Sequence, residues 1–221
     1  MTENIKAVLL DLDDTLVGTI EAKWAHHKHV AETGYGKTLT DDDIRPHWGK
    51  PFSQLVTLLY GQDDPEGAMR RNLACADDYP KVLFPDTFPT LRQLHAAGKV
   101  IGIVTATSRL SFEHDLDTLA FPRNVIDYTQ TEDDTSFHKP DPKVFEPTLA
   151  WLASRHISPR ETLYVGDGLH DMKAAIGASF NFIGITKGLV TADEFAEAGV
   201  TSIQTLDALL PSLGIIAETH E

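Results

Sequence analysis

Ala7-Val8-Leu9-Leu10-Asp11-Leu12-Asp13-Asp14-Thr15-Leu16 is the stretch whose reading decides the fold of this chain. Four consecutive aliphatic residues without polar alternation describe a strand buried on both faces, as in a parallel sheet covered by helices. The run ends in three carboxylates within four positions. The carboxyl ends of parallel strands open onto the crevice where α/β sheets bind ligands, so these acids stand where chemistry is expected. Residues two apart on an extended chain point the same way, so Asp11 and Asp13 can converge while Leu12 faces away. Two carboxylates that close repel unless a cation or a proton intervenes. A helix N-cap or a turn accounts for one acid and leaves the others unexplained.

Outward from this stretch the chain changes character. Residues 18–85 carry no buried-strand pattern; helix-like spacing over 21–32, 40–47, 52–60 and 66–78 is broken by turn signals at 32–36 and 61–65. Thr40 and Asp43 form a capping pair in this reading, and the segment is expected to be a small all-helical insert. From Pro85 the pattern alternates. A helix over 87–97 is followed by strand 100–104 ending at Thr105. Next come a helix near 110–119, a strand over 125–128 and a helix opened by Asp141 and Pro142. Strand 162–165, helix 171–176, strand 180–185 and helices near 193–198 and 206–213 complete the chain. The expected fold class is α/β, a doubly wound, Rossmann-like parallel sheet. Residues 1–17 and 86–221 would form this core, and 18–85 a helical cap inserted after the first strand.

Composition limits the functional classes. At 221 residues the chain can bury a substantial core, and 42% apolar with 24% charged residues is ordinary for a globular protein. The net charge of -14 opposes non-specific binding to nucleic acid or to anionic membranes. A single cysteine, Cys75, permits no intramolecular disulfide. The N-terminus lacks a basic leader with an apolar core, and no apolar run approaches the roughly 18 residues of a membrane span. The expected location is the cytoplasm, with the chain a monomer or homodimer.

Three expected strands end in polar groups of one kind: Asp11 and Asp13, then Thr105, then Asp167 with Asp171 in Gly166-Asp167-Gly168-Leu169-His170-Asp171. Lys139, in His138-Lys139-Pro140-Asp141, precedes a helix N-terminus of the same sheet. Carboxylates, a hydroxyl and an ammonium together can hold a hard divalent cation and a phosphoryl group. Magnesium fits best, because every candidate ligand is oxygen.

These residues resemble the four motifs of the haloacid dehalogenase-like hydrolase superfamily, found here in the family's order: Asp11-Leu12-Asp13-Asp14-Thr15, then Thr105, Lys139-Pro140 and Gly166 to Asp171. The resemblance spans about residues 5–213 and is strongest to the branch of phosphoglycolate phosphatases and β-phosphoglucomutases, which carries a helical cap between the first two motifs. It implies a Mg2+-dependent phosphatase acting on a small phosphorylated metabolite through an aspartyl phosphate. Asp11 would be the nucleophile and Asp13 the proton carrier. The metal would be held by Asp11, the Asp13 backbone carbonyl, Asp167 and Asp171. Thr105, with Ala106 beside it, and Lys139 would bind the phosphoryl group. Departures from the common pattern are Asp14 in place of Gly, and Gly168 and His170 in place of Ser and Asn; none removes a catalytic group.

Asp13 discriminates within the family, because a halide leaving group needs no proton; true dehalogenases lack this acid. A phosphosugar mutase shares the intermediate and is the alternative. A receiver-type signalling domain also combines a phospho-accepting Asp with acids, a Thr and a Lys, but its phosphorylated Asp follows a middle strand and it has no helical insert. Within the insert, Arg45-Pro46-His47-Trp48-Gly49-Lys50-Pro51 is either a substrate loop, with Arg45 and Lys50 as its cations, or a plain interhelical turn. His26, His27 and His29 read as a solvated helix face without a role.

Overall fold

The computed structural model of the protein describes residues 4–50 and 52–215. In chain order the strands are β1 (Ala7–Leu10), β2 (Val17–Gly18), β3 (Val82–Leu83), β4 (Val100–Val104), β5 (Tyr128–Gln130), β6 (Thr162–Gly166), β7 (Asn181–Ile185) and β8 (Ser202–Ile203). The helices are α1 (Ile20–Tyr35), α2 (Asp41–Ile44), α3 (Phe52–Tyr60), α4 (Pro65–Ala74), α5 (Thr87–Ala96), α6 (Arg109–Thr118), α7 (Glu146–Ser154), α8 (Leu169–Gly177), α9 (Ala192–Glu197) and α10 (Leu209–Ser212). Two compact units divide them: one from the described parts of Met1–Gly18 and Val82–Glu221, the other Thr19–Lys81.

The larger unit is an α/β fold built on a six-stranded parallel sheet of order β5-β4-β1-β6-β7-β8. β1 lies between β4 and β6, and all four of its residues are fully buried. Its side chains alternate: Val8 and Leu10 join Ile101, Ile103, Leu163 and Val165 on one face, while Ala7 and Leu9 join Val104, Phe145 and Tyr164 on the other. Helices cover both faces. Leu91 and Leu94 of α5 with Phe112 and Leu116 of α6 pack on the first, and Leu152 of α7 with Ala174 and Ala175 of α8 on the second. That double cover is why β1 reads as an unbroken apolar run. Gly102 faces Leu9 so closely that a Cβ there would lie 2.7 Å from Leu9 Cδ2, which explains a glycine in mid-strand.

Several boundaries differ from the sequence reading. Residues 125–128 were expected to be extended; instead Arg123–Val125 is a 3-10 turn and β5 starts at Tyr128. Asp127 accounts for the shift: its carboxylate accepts Ile101 N–H at 2.9 Å while its own N–H donates to Ile101 O at 2.8 Å, so pairing begins there. Asp141 caps a 3-10 segment, Pro142–Phe145, ahead of α7. Residues 18–85 were expected to be free of strands, yet Gly18 and Val82–Leu83 sit in a short antiparallel ribbon, β2 with β3. Two residues per strand are too few to leave a periodic signal.

Among the described residues, the regular elements of the smaller unit are all helices. The Thr40–Asp43 capping box is present at α2. The histidines of α1 do not form a solvated face: His26 and His27 are buried and only His29 is exposed. His27 Nδ1 pairs with the Tyr60 hydroxyl at 2.8 Å, and His26 Nε2 with Asn72 O at 3.0 Å. Asn72 ties the group together, donating to Tyr60 Oη at 3.2 Å and to Ala68 O at 2.8 Å. Burial lowers both imidazoles to about 4, so they are neutral members of the core. Charge-based reading of adjacent histidines fails here because their partners come from α3 and α4. Among the described residues, no helix is long and apolar enough to cross a membrane.

Candidate active site

The site is assembled at the carboxyl ends of β1, β4 and β6. Register aligns Leu10 with Ile103 and with Val165, so the residues that follow leave the sheet side by side. Asp11 continues the ladder by donating its N–H to Val165 O at 2.9 Å. The chain then turns sharply. Leu12 O accepts the amides of Leu16 and Val17 at 2.9 and 3.1 Å, and Asp14 takes a positive φ of 54°. Such a backbone suits Asp better than most residues and Gly best, which makes Asp14 the turn residue of the motif.

Asp11, Asp167 and Asp171 converge: each offers a carboxylate oxygen, and these atoms lie within 4.8 Å of one another. Asp171 is completely buried and Asp11 nearly so. Asp171 is placed by the start of α8, where its carboxylate accepts Gly168 N–H at 3.0 Å. Gly166 makes room for it, since a Cβ at 166 would meet the Asp171 Cβ at 2.7 Å. Asp167 lies against Gly188, where a Cβ would come within 1.9 Å of Asp167 Oδ2.

Lys139 is the cation of this cluster. Its Nζ lies 2.7 Å from Asp11 Oδ1 and 2.7 Å from Asp171 Oδ1, and donates to the Tyr164 hydroxyl at 2.6 Å. Tyr164 in turn donates to Val104 O at 3.0 Å. The three protons of the ammonium have Asp11 Oδ1, the Tyr164 hydroxyl and, at 3.3 Å, Val104 O as acceptors, and Asp171 adds an ion pair.

Electrostatics follow from burial and charge count. Burial pushes Asp11 up to about 7; Lys139 opposes that, and Asp171 and Asp13 add to it. Burial, with Asp171, Asp11 and Asp14 as neighbours, holds Asp167 well above the carboxylate range. Asp171 goes the other way: burial alone would raise it, but Lys139 and His170 keep it low. Burial would likewise lower Lys139, yet Asp11 and Asp171 hold it well above its ordinary value. Three carboxylates face one ammonium, and the excess negative charge suits a divalent cation.

Asp13 is engaged differently. Its Oδ2 accepts the Thr107 hydroxyl at 2.7 Å. Thr105 is buried at the end of β4, and its Oγ1 accepts Thr107 N–H at 3.0 Å, so its own hydroxyl proton is what it has to give. Ala106 is exposed in the same loop. Arg45 and Lys50 belong to the smaller unit. Arg45 opens a 3-10 turn, Arg45–His47, and its guanidinium lies 5.3 Å from the Trp24 ring centroid. Lys50 is exposed and donates its backbone N–H to His47 O at 3.2 Å. Pro51, the last residue of that sequence loop, lies outside the described residues.

Sequence reasoning overlooked Tyr164, Thr107 and Gly188. For Tyr164 a signal existed, since a tyrosine in a buried strand must find a partner for its hydroxyl. For the other two the contact partner lies on a distant strand end, and nothing local announces it.

The chain is similar to several known proteins. A family model described as haloacid dehalogenase-like hydrolase matches residues 8–185. A pyrophosphatase PpaX of Anoxybacillus flavithermus is 30% identical over 192 residues, covering 82% of this chain and 84% of that protein. A Bacteroides fragilis structure classed as a haloacid dehalogenase-like hydrolase superposes with a TM-score of 0.79 at 31% identity, covering 93% and 99% of the two chains. The phosphate complex of CbbY from Rhodobacter sphaeroides gives a TM-score of 0.77 at 20% identity over 96% and 100% of the two chains, a likeness of fold. With a family match over residues 8–185, most of its length, this chain belongs to the haloacid dehalogenase-like hydrolase family.

Proposed function

We propose that this chain is a Mg2+-dependent phosphatase that hydrolyses a small phosphorylated metabolite through a phosphoryl-aspartate on Asp11. The observation that carries the reading is the convergence of Asp11, Asp167 and Asp171, with Asp11 and Asp171 paired to a buried lysine. Oxygen-only donors with excess negative charge fit a hard cation, so Asp11, Asp167 and Asp171 would hold Mg2+. When bound, it would neutralise the acids and polarise the phosphoryl oxygens.

The chain's own groups divide the remaining work. Lys139, in contact with Asp11, favours its ionised and nucleophilic form. An Asp11 oxygen bonds to phosphorus as the bond to the leaving oxygen breaks, and the proton carried by Asp13 moves to that oxygen. Water then gives a proton to Asp13 as its oxygen bonds to phosphorus, and the bond between phosphorus and Asp11 breaks. The Thr105 hydroxyl donates to the phosphoryl oxygens. Arg45 and Lys50 are proposed as the cations of a substrate loop in the smaller unit. A cytoplasmic setting accords with the single cysteine and the absence of a membrane-crossing helix among the described residues.

The test is release of inorganic phosphate from a panel of phosphorylated metabolites, with and without Mg2+. Inorganic pyrophosphate belongs in the panel because relatives carry the name pyrophosphatase. Expected is Mg2+-dependent turnover that Asp11→Asn abolishes. No release from any member, or full activity of Asp11→Asn, would refute the proposal. Sugar-phosphate isomerisation without phosphate release would point to the mutase instead.

A further inference from the structure

Thr107 stands at the junction of the two groups that must handle the leaving oxygen and the phosphoryl group. Its hydroxyl donates to Asp13 Oδ2 at 2.7 Å and its N–H donates to Thr105 Oγ1 at 3.0 Å. The residue is held in place from other directions as well. Its carbonyl accepts Glu132 N–H at 3.1 Å, and Ser108, next in the chain, caps α6 by accepting Ser111 N–H. The Thr107 backbone is thus tied to the end of β4, to the segment after β5 and to the start of a helix. A hydroxyl on so constrained a backbone is a fixed donor, whereas the acid it meets sits in a sharp turn after β1.

We infer that Thr107 is a positioning residue: it sets the orientation of the Asp13 carboxyl for proton transfer to the leaving oxygen. The inference rests on the proposed function above and extends it to a residue outside the four motifs. An aspartate side chain has two torsions to fix, and a proton moves efficiently only within hydrogen-bond reach of its target. The 2.7 Å contact holds that geometry before substrate arrives. Thr107 gives no proton away in the reaction; the proton passes from Asp13 to the leaving oxygen and returns to Asp13 from water.

Leaving-group dependence separates positioning from a general loss of structure. A phenolate carrying strong electron-withdrawing groups departs without protonation, whereas unsubstituted phenolate or an alkoxide needs the acid. The experiment measures kcat/KM, with saturating Mg2+, for 2,4-dinitrophenyl, p-nitrophenyl and phenyl phosphate in the wild type, Thr107→Val and Thr107→Ser. Valine keeps the shape and removes the donor; serine restores it. Expected for Thr107→Val is a loss of about tenfold or more on phenyl phosphate but less than about threefold on the dinitrophenyl ester, since general acid catalysis contributes 10²- to 10⁴-fold only where protonation is needed. Thr107→Ser should stay close to the wild type on all three. A uniform loss across the series, no loss at all, or equal damage by both substitutions would overturn the role of Thr107. If the wild type itself releases no phosphate from any ester, the failure lies with the proposed function.

Discussion

Lys139 Nζ lies 2.7 Å from Asp11 Oδ1, although 128 positions separate the two residues in the chain. Both side chains are almost fully withdrawn from solvent, at 5% and 10% exposure. A buried ion pair is worth its desolvation only when the remaining donors are satisfied; the Tyr164 hydroxyl and Val104 O accept the other ammonium protons, and Asp171 adds a second ion pair. The pair therefore stabilises the cluster that the proposed chemistry would use.

Removing the ammonium should expose that dual role. Lys139→Met leaves three carboxylates without their cation. Expected is a loss of about 10²- to 10³-fold in kcat with p-nitrophenyl phosphate, the scale for one electrostatic contact in a transition state. Breaking a buried pair costs about 3–5 kcal/mol, so the variant should also melt earlier in EDTA and regain part of the difference in Mg2+. Equal melting with and without Mg2+ would count against a cation in this cluster.

Metal binding itself is measurable without turnover. Mg2+ that binds the folded chain alone should raise the melting temperature, corresponding to about 2.7 kcal/mol when its concentration is 100 times Kd. Asp167→Asn should weaken that response, because Asp167 is one of the three converging acids. A thermal-shift titration in wild type and variant gives the answer; identical curves would remove Asp167 from the metal set.

Gly188 should be unable to accept even a methyl group. Its Cβ would fall 1.9 Å from Asp167 Oδ2, so Gly188→Ala must push that carboxylate away from Asp11 and Asp171. Expected is a loss of roughly 10- to 100-fold in Mg2+ affinity, the range for groups that orient metal ligands, with the far-ultraviolet circular dichroism unchanged. Calorimetric titration of Mg2+ measures it, and wild-type affinity in the variant would contradict the proposed clash.

The buried histidines predict acid sensitivity of the smaller unit. Burial lowers His26 and His27 from an ordinary 6.5 to about 4. Above 6.5 neither the folded nor the unfolded chain holds the proton. Between 6.5 and 4 the unfolded chain takes it up and the folded chain does not, so stability falls with pH by at most about 1.4 kcal/mol per unit for each histidine; below 4 the loss levels off. Hydrogen exchange of α1 amides at pH 7, 5.5 and 4.5 should show progressive loss of protection, reduced in His27→Gln. A pH-independent opening free energy would dismiss the effect.

Much of the larger unit was legible because it rests on one-dimensional signals. Four aliphatic residues in a row can be buried on both faces only between helices, and Val100–Val104 and Thr162–Gly166 repeat the pattern. Parallel strands bring like ends together, which is why Asp11, Thr105 and Asp167 group from the sequence alone. Lys139 was found through its motif, since an isolated loop lysine carries no signal of burial. Strand β5 was misplaced because Asp127 makes the first pairing contacts through its own carboxylate. His26 and His27 were misread because the polarity of a side chain does not say whether Tyr60 and Asn72 wait to receive it.

The sequence by itself determined the α/β class, the parallel order implied by alternating elements, and the acids at the strand ends, because periodicity and abrupt polarity are properties of neighbouring residues. Tertiary structure alone decided what those acids meet. Thr107 reaches Asp13, Tyr164 supports Lys139, and Gly188 yields space to Asp167. Each of these contacts joins residues far apart in the chain, and each depends on ångström-scale distances that strand register and backbone packing set.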